Sequence, residues 1–146
     1  MAGSSSTPRP RTSVAAEDYL EKIEQLISRK GYARVVDIAT ELKISQASVT
    51  AMVQKLDAEG FVKYEKYRGM VLTSTGLEVA RRITHRHQLL TEFLRAIGVA
   101  DEKIIYDDVE GMEHHISPET FAAIEALTRY LEKNPTVMAK AAAAKK

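Results

Sequence analysis

Residues 61–73, which read FVKYEKYRGMVLT, change the period of the apolar pattern from that of a helix to that of a strand. Apolar side chains alternate or run together on both sides of Arg68 and Gly69, which predicts a β-hairpin that turns at this pair. Ahead of the hairpin, apolar residues instead recur at helical spacing. The front of the chain is therefore limited to a set of helices followed by one hairpin.

Three helical segments are predicted ahead of this hairpin. The first covers residues 15–31, where Gly31 is a natural C-terminal stop. The second covers residues 35–42, and a tight connection leads from it to a third helix with Ser45 as N-cap and Gly60 at its end. Helix, short helix, tight turn, helix and hairpin is the order of elements in a winged helix-turn-helix.

The third helix and the hairpin carry side chains that suit DNA. Short polar and methyl-bearing side chains let a helix approach base edges in a major groove, and basic groups on a wing contact phosphates. The candidate DNA-binding residues are Gln46, Ala47, Ser48, Thr50, Gln54, Lys55, Lys66, Tyr67 and Arg68. The alternative interpretation is a three-helix core with a decorated surface, and the order of elements together with the basic balance favours DNA binding.

Charge is divided unevenly along the chain, although the formal net charge is only +1. Residues 29–72 carry eight basic and five acidic side chains, whereas residues 101–125 carry eight acids and one lysine. The basic part suits phosphates and the acidic part suits cations. The sequence contains no cysteine, which excludes disulfides and thiolate metal sites.

Segments that direct a protein to or across a membrane are not expected. No apolar run approaches the length of a membrane span, and residues 1–13 lack the apolar centre of a signal peptide. We therefore expect a cytoplasmic protein without a membrane segment. The Ser/Pro-rich composition of residues 1–13 predicts a disordered arm, and the alanine and lysine run at the other end predicts a tail that frays.

Helical patterns fill the back half of the chain. A long helix is predicted from about Thr75 to Gly98, another over residues 101–116, and a third that begins with Ser117 as N-cap and Pro118 at the first helical position. No strand pattern interrupts them. The back half is therefore predicted to be all α.

Potential metal ligands lie beside the apolar stripes of these helices. His87 falls on the edge of the apolar stripe of the long helix. His85 points about 160° away from His87, toward solvent. In the next helix, Glu110, Glu113 and His114 share a strip about 100° wide, and His115 would lie outside that strip. A ligand set at positions i, i+3 and i+4 of one helix is a recurrent way to hold a metal ion.

Each of these features alone has a plainer explanation. Asp18 and Glu21 lie off the apolar stripe of the first helix, where solvated residues normally sit. A single histidine on an apolar edge, such as His87, is more often a hydrogen-bonded core residue than a ligand. Taken together, however, four carboxylates and two imidazoles form an oxygen-rich set that suits Mn²⁺, with Fe²⁺ as the alternative.

Long stretches of the chain resemble the manganese transport regulators of the diphtheria-toxin-repressor family. The matching stretches run over about residues 17–117 and are EDYLEKIEQLI, KGYARVVDIAT, SVTAMVQKLDAEGFVKYEKYRGMVLTSTG, RHQLLTEFLRAIGV and DVEGMEHH. The resemblance implies a homodimeric, non-enzymatic repressor that binds operators of metal-uptake genes, with a divalent metal ion as co-repressor.

The resemblance also implies a ligand set and a metal. The implied ligands are Asp18, Glu21, His87, Glu110, Glu113 and His114. They would hold two manganese ions per subunit, with Glu110 and Glu113 between the two ions. Iron-responsive relatives have methionine at the position of Asp18 and cysteine at that of Glu110, so the acids of this chain favour manganese(II).

The predicted protein is mainly α, with an N-terminal winged helix-turn-helix that has a small β-hairpin wing, followed by an all-α metal-binding and dimerisation domain. The predicted segments are an arm at 1–13, the DNA-binding domain at 14–74, the metal-binding domain at 75–136 and a frayed tail at 137–146. One alternative is a winged-helix regulator that responds to Fe²⁺ or to a small organic ligand. Another is a metallohydrolase, which lacks support because no motif supplies a substrate pocket.

Overall fold

The computed structural model describes residues 12–145, which form seven helices and a two-stranded sheet. The elements are α1 (Val14–Lys30), α2 (Val35–Leu42), α3 (Gln46–Ala58), β1 (Val62–Glu65), β2 (Gly69–Leu72), α4 (Ser74–Ala96), α5 (Glu102–Met112), α6 (Pro118–Lys133) and α7 (Pro135–Ala144). Two compact units divide the chain within α4, after Ala80. They are called the front unit, which ends at Ala80, and the back unit, which starts at Arg81. The mainly α fold with a hairpin wing is as predicted.

Local signals set the ends of the front helices. The Ser45 side chain accepts a hydrogen bond from the backbone N–H of Ser48, 3.1 Å away, and so caps α3 as predicted. Gly31 follows α1 with φ of 83°, a left-handed conformation that glycine adopts without strain. Gly60 has the same φ just after α3. The predicted boundaries of the three front helices are therefore confirmed to within about two residues.

The core of the front unit is apolar. Within residues 12–145 it groups sixteen buried residues from α1, α2, α3, the hairpin and the first turns of α4. Those that α3 and β1 contribute are Val49, Val53, Leu56 and Val62, preceded on the hairpin side by Phe61. Residues 49, 53 and 56 recur at helical spacing, so the buried stripe leaves the opposite side of α3 open to solvent.

The wing is an antiparallel pair in which Val62 lies opposite Leu72 and Glu65 lies opposite Gly69. The turn occupies residues 66–68, so Gly69 opens β2 rather than closing the turn. Gly69 has φ of 100°, and a Cβ atom there would lie 2.4 Å from the carbonyl oxygen of Ala33. The first residue of β2 therefore packs against the α1–α2 connection so closely that only glycine fits.

The core of the back unit is smaller. Its cluster of buried residues comprises Leu90, Leu94, Ile105 and Val109 among the described residues, with partly buried neighbours around them. The Ser117 side chain accepts a hydrogen bond from the backbone N–H of Thr120, 3.2 Å away, and Pro118 follows it, which confirms the predicted start of α6.

The predicted helix over residues 101–116 is wrong at its end, because α5 stops at Met112. Ser117 is extended, with φ of −66° and ψ of 156°, because it caps α6 and because a residue before proline is disfavoured in the helical region. The chain therefore leaves the helix over residues 113–116. As a result, Glu110 lies on α5, Glu113 caps its C-terminus and His114 lies in the turn beyond.

The end of the described chain also differs from prediction. Residues 137–144, predicted to fray, belong to α7. Pro135 opens this helix, and alanine has the highest helix propensity of all residues. The predicted arm at 1–13 lies mostly outside the described residues, and Ser13 caps α1. No helix within residues 12–145 is long and apolar enough to cross a membrane.

Candidate metal centre and nucleic-acid interface

The solvent side of α3 presents the side chains that were predicted to meet DNA. Gln46, Ala47 and Ser48 are exposed in its first turn, and Gln54 and Lys55 are exposed further along. The remaining candidate on this helix, Thr50, is half-buried. Exposure near the N-terminus of the helix leaves backbone and short side chains accessible to base edges, so this arrangement is suited to a major groove.

The wing tip is highly exposed. Tyr67 is 89% exposed and adopts φ of 71°. The Lys66 Nζ atom lies 5.2 Å from the centre of the Tyr67 ring. Arg68 places its guanidinium 3.7 Å from the Glu65 carboxylate, in a surface contact that contributes little to stability. The two basic groups are therefore exposed, and their contact with phosphates stays a prediction.

Four of the six predicted metal ligands belong to the back unit, and the structure brings them together. His87 Nδ1 lies 2.9 Å from Glu113 Oε2 and 3.4 Å from Glu110 Oε1. On the other side of the same carboxyl group, His114 Nε2 lies 3.3 Å from Glu113 Oε1. Glu113 is thus the shared member of this cluster, between two imidazoles.

Glu113 is also the most buried of the four. Its side chain has 0% exposure, and that of His114 has 2%. Glu113 Oε1 forms no hydrogen bond with any residue that the structure describes. A buried carboxylate oxygen without a hydrogen bond is costly unless positive charge compensates it. This oxygen therefore marks the place where a cation would be most stabilising.

A proton on His87 supplies part of that compensation. Hydrogen bonds to Glu110 and to Glu113 raise the pKa of His87 from 6.5 to about 10, and burial opposes the rise. The protonated ring then donates from Nδ1 to Glu113 Oε2. A metal ion held by the same nitrogen would have to displace this proton, because a ligating histidine is neutral.

The other two predicted ligands, Asp18 and Glu21, lie one helical turn apart on α1 of the front unit. Asp18 is half-buried, but Glu21 is only 5% exposed. The expectation that this side of the helix is solvated is therefore wrong for Glu21. The periodicity of α1 could not reveal this, because burial on a second side of a helix depends on tertiary packing.

The nearby acids and histidines that were not predicted to be ligands lie outside the cluster. His115 is exposed, as are Asp107 and Asp108. His85 is exposed and lies 3.4 Å from Glu125, away from the cluster. The sequence patterns did not single out Arg86, a neighbour of the cluster. Its Nη1 atom donates hydrogen bonds to the carbonyl oxygens of residues 113 and 116. Its only signal is its position immediately before His87.

The donors of the back unit fit a hard divalent cation. Two carboxylates and two imidazoles provide oxygen and nitrogen atoms without sulfur, which suits Mn²⁺ or Fe²⁺ better than a soft ion. The buried oxygen of Glu113 points to the same conclusion, since a divalent ion would satisfy it. The residues present therefore fit a metal ion of this class.

Comparison with known proteins gives a consistent assignment. Residues 11–70 match the family model for the N-terminal DNA binding domain of iron dependent repressors, and residues 73–140 match that for their metal binding and dimerisation domain. Both models describe regulators rather than enzymes, which confirms the prediction that the chain is not an enzyme. Together they cover most of the chain.

Curated relatives and solved structures agree with these matches. The HTH-type transcriptional regulator MntR of Lysinibacillus sphaericus is 51% identical over 129 residues, which cover 88% of this chain and 92% of that protein. MntR of Bacillus subtilis is 53% identical over 123 residues, or 84% and 86% of the two chains. The structure of the manganese regulator SloR superposes with a TM-score of 0.69 at 29% identity and covers 79% of this chain.

The chain spans only 54% of the length of SloR, whereas it spans nearly all of the MntR relatives. The correspondence with MntR therefore includes the hairpin wing, the exposed face of α3 and the histidine and carboxylate cluster within one continuous alignment. These findings show that the chain belongs to the iron-dependent repressor family, whose members are homodimeric, metal-dependent, DNA-binding transcriptional repressors.

Proposed function

We propose that the protein is a manganese-responsive repressor, in which Mn²⁺ acts as co-repressor and promotes binding of the homodimer to operators of metal-uptake genes. The observation that carries the proposal is the buried Glu113 carboxylate between two histidines, with one oxygen that forms no hydrogen bond among the described residues. The similarity to the manganese regulator SloR supports the choice of metal. A repressor acts on the chromosome, which places it in the bacterial cytoplasm.

The proposed ligands are the four residues of the back-unit cluster together with two residues of α1, and the proposed stoichiometry is two ions per subunit. The set comprises Asp18, Glu21, His87, Glu110, Glu113 and His114. When bound, the metal supplies positive charge that neutralises these carboxylates. His87 would bind the ion as a neutral imidazole, so that its proton would be released to solvent, and Glu113 would hold the ion as a carboxylate.

Residues from both units contribute to this proposed set, and the proposed switch follows from that division. An ion held by all six residues would favour those arrangements of the dimer in which Asp18 and Glu21 reach the same metal site as the ligands of the back unit. Arrangements that place two recognition helices about 34 Å apart fit successive major grooves of DNA. Metal binding and operator binding then strengthen each other by the same factor, because the coupling is reciprocal.

Selectivity for Mn²⁺ cannot rest on affinity alone, since Zn²⁺ binds most nitrogen and oxygen sites more tightly. Coordination number offers a physical basis. Mn²⁺ accepts about six ligands, so it can draw in Asp18 and Glu21, whereas Zn²⁺ is commonly satisfied with about four. Zn²⁺ is therefore expected to occupy the protein and to activate DNA binding poorly.

The test is operator affinity at saturating Mn²⁺, Fe²⁺ and Zn²⁺, with a duplex selected from a random library in the presence of Mn²⁺. We expect Mn²⁺ to activate the wild type more than Zn²⁺ and Asp18→Met to narrow the gap. Asp107→Met is the matched control, because this exposed acid lies outside the proposed set. Equal activation by Mn²⁺ and Zn²⁺ would defeat the coordination-number account, and operator binding that ignores all metals would favour an organic effector.

The DNA-binding part has its own test in the salt dependence of affinity. Arg68→Ala removes one exposed cation from the wing and should reduce the slope of log K against log salt by about 0.9. Arg129→Ala, in the back unit, should leave the slope unchanged. Gln46→Ala should weaken binding to the selected operator more than to random duplexes. A change in sequence preference without a change in slope for Arg68→Ala would make the wing a reader of bases.

A further inference from the structure

Arg86 joins the helix that carries His87 to the turn that carries Glu113 and His114. Its Nη1 atom donates to the carbonyl oxygen of Glu113 at 3.1 Å and to that of Ile116 at 2.8 Å. The guanidinium carbon lies 5.4 Å from the centre of the Phe121 ring, at the start of α6. All of these contacts lie within the back unit.

The two carbonyl groups are ones that the helices leave without partners. The last carbonyls of a helix lack intrahelical donors, and α5 ends at Met112. Residues 113–116 then connect to the extended Ser117 that caps α6. A single donor group bound to both 113 and 116 spans this connection from end to end. The contact therefore fixes the path of the turn rather than one residue in it.

We propose that Arg86 is a positioning residue for the metal site, which holds the turn so that Glu113 and His114 face His87 before any ion binds. The inference rests on the proposed function, since it concerns the same donors. Arg86 binds the backbone of one ligand, Glu113, and immediately precedes another, His87, in the chain, so its conformation is tied to both sides of the cluster. Side chains that orient metal ligands commonly change affinity by about 10- to 100-fold when they are replaced.

The sign of the effect separates positioning from electrostatics. A guanidinium near a cation site repels the cation, so if Arg86 acted only through its charge, its removal would tighten Mn²⁺ binding. If it acts through its hydrogen bonds, its removal weakens binding. Arg86→Lys sharpens the distinction, because it keeps the charge but replaces the guanidinium Nη1 group with an ammonium group on a shorter side chain.

The experiment measures Mn²⁺ affinity by electron paramagnetic resonance for the wild type, Arg86→Met, Arg86→Lys and Arg129→Met. Arg129 is the matched control, because its guanidinium binds the side chains of Glu92 and Glu132 on the surface of the same unit. We expect affinity to fall about 10- to 100-fold in Arg86→Met, less in Arg86→Lys and less than about twofold in Arg129→Met. Titrations are made well below the unfolding temperature of each metal-free variant.

A second readout distinguishes positioning from a general loss of stability. The visible absorption of bound Co²⁺ depends on ligand geometry, so we expect it to change in Arg86→Met and to match the wild type in Arg129→Met. Unchanged or tighter Mn²⁺ binding in Arg86→Met would overturn the inference, as would a wild-type Co²⁺ spectrum. If Arg86→Met does not fold, Arg86→Lys decides on the same two criteria. Failure of the wild type to bind Mn²⁺ would instead reject the proposed function.

Discussion

The front and back units differ in the side chains that they bury. In the front unit, sixteen buried residues form one apolar cluster among the described residues, and the basic side chains of α3 and the wing stay in solvent. In the back unit, the corresponding cluster has four buried residues. The fully buried Glu113 carboxyl group belongs to a residue that follows Val109, one member of this cluster, by one helical turn. The apolar cluster of the front unit thus contains no charged side chain, although Glu21 of α1 is buried as well, whereas the back unit has a smaller cluster and buries the Glu113 carboxyl group completely.

This difference assigns separate tasks to the two units. The free energy of apolar burial scales with the area removed from water and depends little on which ions are present. The free energy of a buried carboxylate depends strongly on whether a proton or a cation compensates it. The apolar cluster of the front unit is therefore expected to depend little on the metal supply, and the donor cluster of the back unit is expected to depend on it strongly.

The largest expected effect separates the two units by their response to metal. Mn²⁺ at 100 times its dissociation constant should stabilise the back unit by about 2.7 kcal/mol against opening. Hydrogen exchange should show this gain for amides near Leu90 and Val109, and a smaller gain near Val53. Glu113→Gln should abolish the gain, and the exposed Glu119→Gln should retain it. Equal gains in amide protection in both units would contradict the expected difference in their response to metal.

Substitution of one glycine in each unit should change stability by an amount comparable with the effect of metal. A Cβ atom at Gly76, on the first turn of α4, would lie 1.9 Å from the backbone oxygen of Phe61, which cannot move aside cheaply. Gly76→Ala should therefore destabilise the front unit by about 2–3 kcal/mol. At Gly111 on α5 a Cβ atom meets nothing within 4 Å. Gly111→Ala should stabilise α5 by up to about 1 kcal/mol, since alanine favours helix.

Urea unfolding of the two metal-free variants measures both effects. Mn²⁺ should not restore Gly76→Ala to the wild-type midpoint, because the clash lies in the apolar core of the front unit. A loss in Gly111→Ala similar to that in Gly76→Ala would contradict the open space that the structure shows around residue 111.

The pH dependence of the metal-free protein tests the charge in the back unit. The pKa of His87 is raised from 6.5 to about 10, so its contribution to stability is fully present below 6.5 and is lost as pH rises toward 10. The slope cannot exceed about 1.4 kcal/mol per pH unit for one proton. Urea midpoints between pH 6.5 and 9.5 should fall more steeply for the wild type than for His87→Gln. Parallel curves would contradict the protonated state of His87.

Over the same pH range the affinity for Mn²⁺ should rise. The ion competes with the proton on His87, so each unit of pH removes part of that competition. Stability without metal and affinity for metal should therefore change in opposite directions, and calorimetry at several pH values would measure the second.

The smallest expected effect concerns a feature that both units share. Ser45 caps α3 and Ser117 caps α6 through the same type of hydrogen bond, at 3.1 and 3.2 Å. Replacement of either by alanine should cost about 1 kcal/mol in its own unit. Only Ser45→Ala should also weaken DNA binding, because Ser45 precedes the exposed first turn of α3. An equal loss of DNA affinity in both variants, measured by fluorescence anisotropy, would show that the units are not separable in this way.

The parts of the fold that follow from local chemistry could be predicted from the sequence. Gly31, Ser45 and Ser117 mark helix ends because capping and left-handed turns depend on a few adjacent residues. The end of α5 could not be predicted from its apolar period, which runs on to Ile116. There the demands of the next helix override the pattern, because the capping residue before Pro118 must be extended.

The candidate site divides in the same way. The position of His87 at the edge of an apolar stripe follows from the period of α4, and the structure confirms it as half-buried. The burial of Glu21 does not follow from α1 alone, since it depends on what packs against a second side of the helix. The contact of Arg86 with two carbonyl groups 27 and 30 residues further on is also a property of the fold.

The early end of α5 bears on how the chain tolerates changes in length. Glu110 and Glu113 are placed by the last turn of this helix, and the turn beyond it is anchored at Arg86 and at the Ser117 cap. Residues inserted in the α4–α5 connection, near Asp101, would enter at the opposite end of α5. Such insertions can be absorbed by the connection, so loop length there can drift during evolution while the spacing of the donors stays the same.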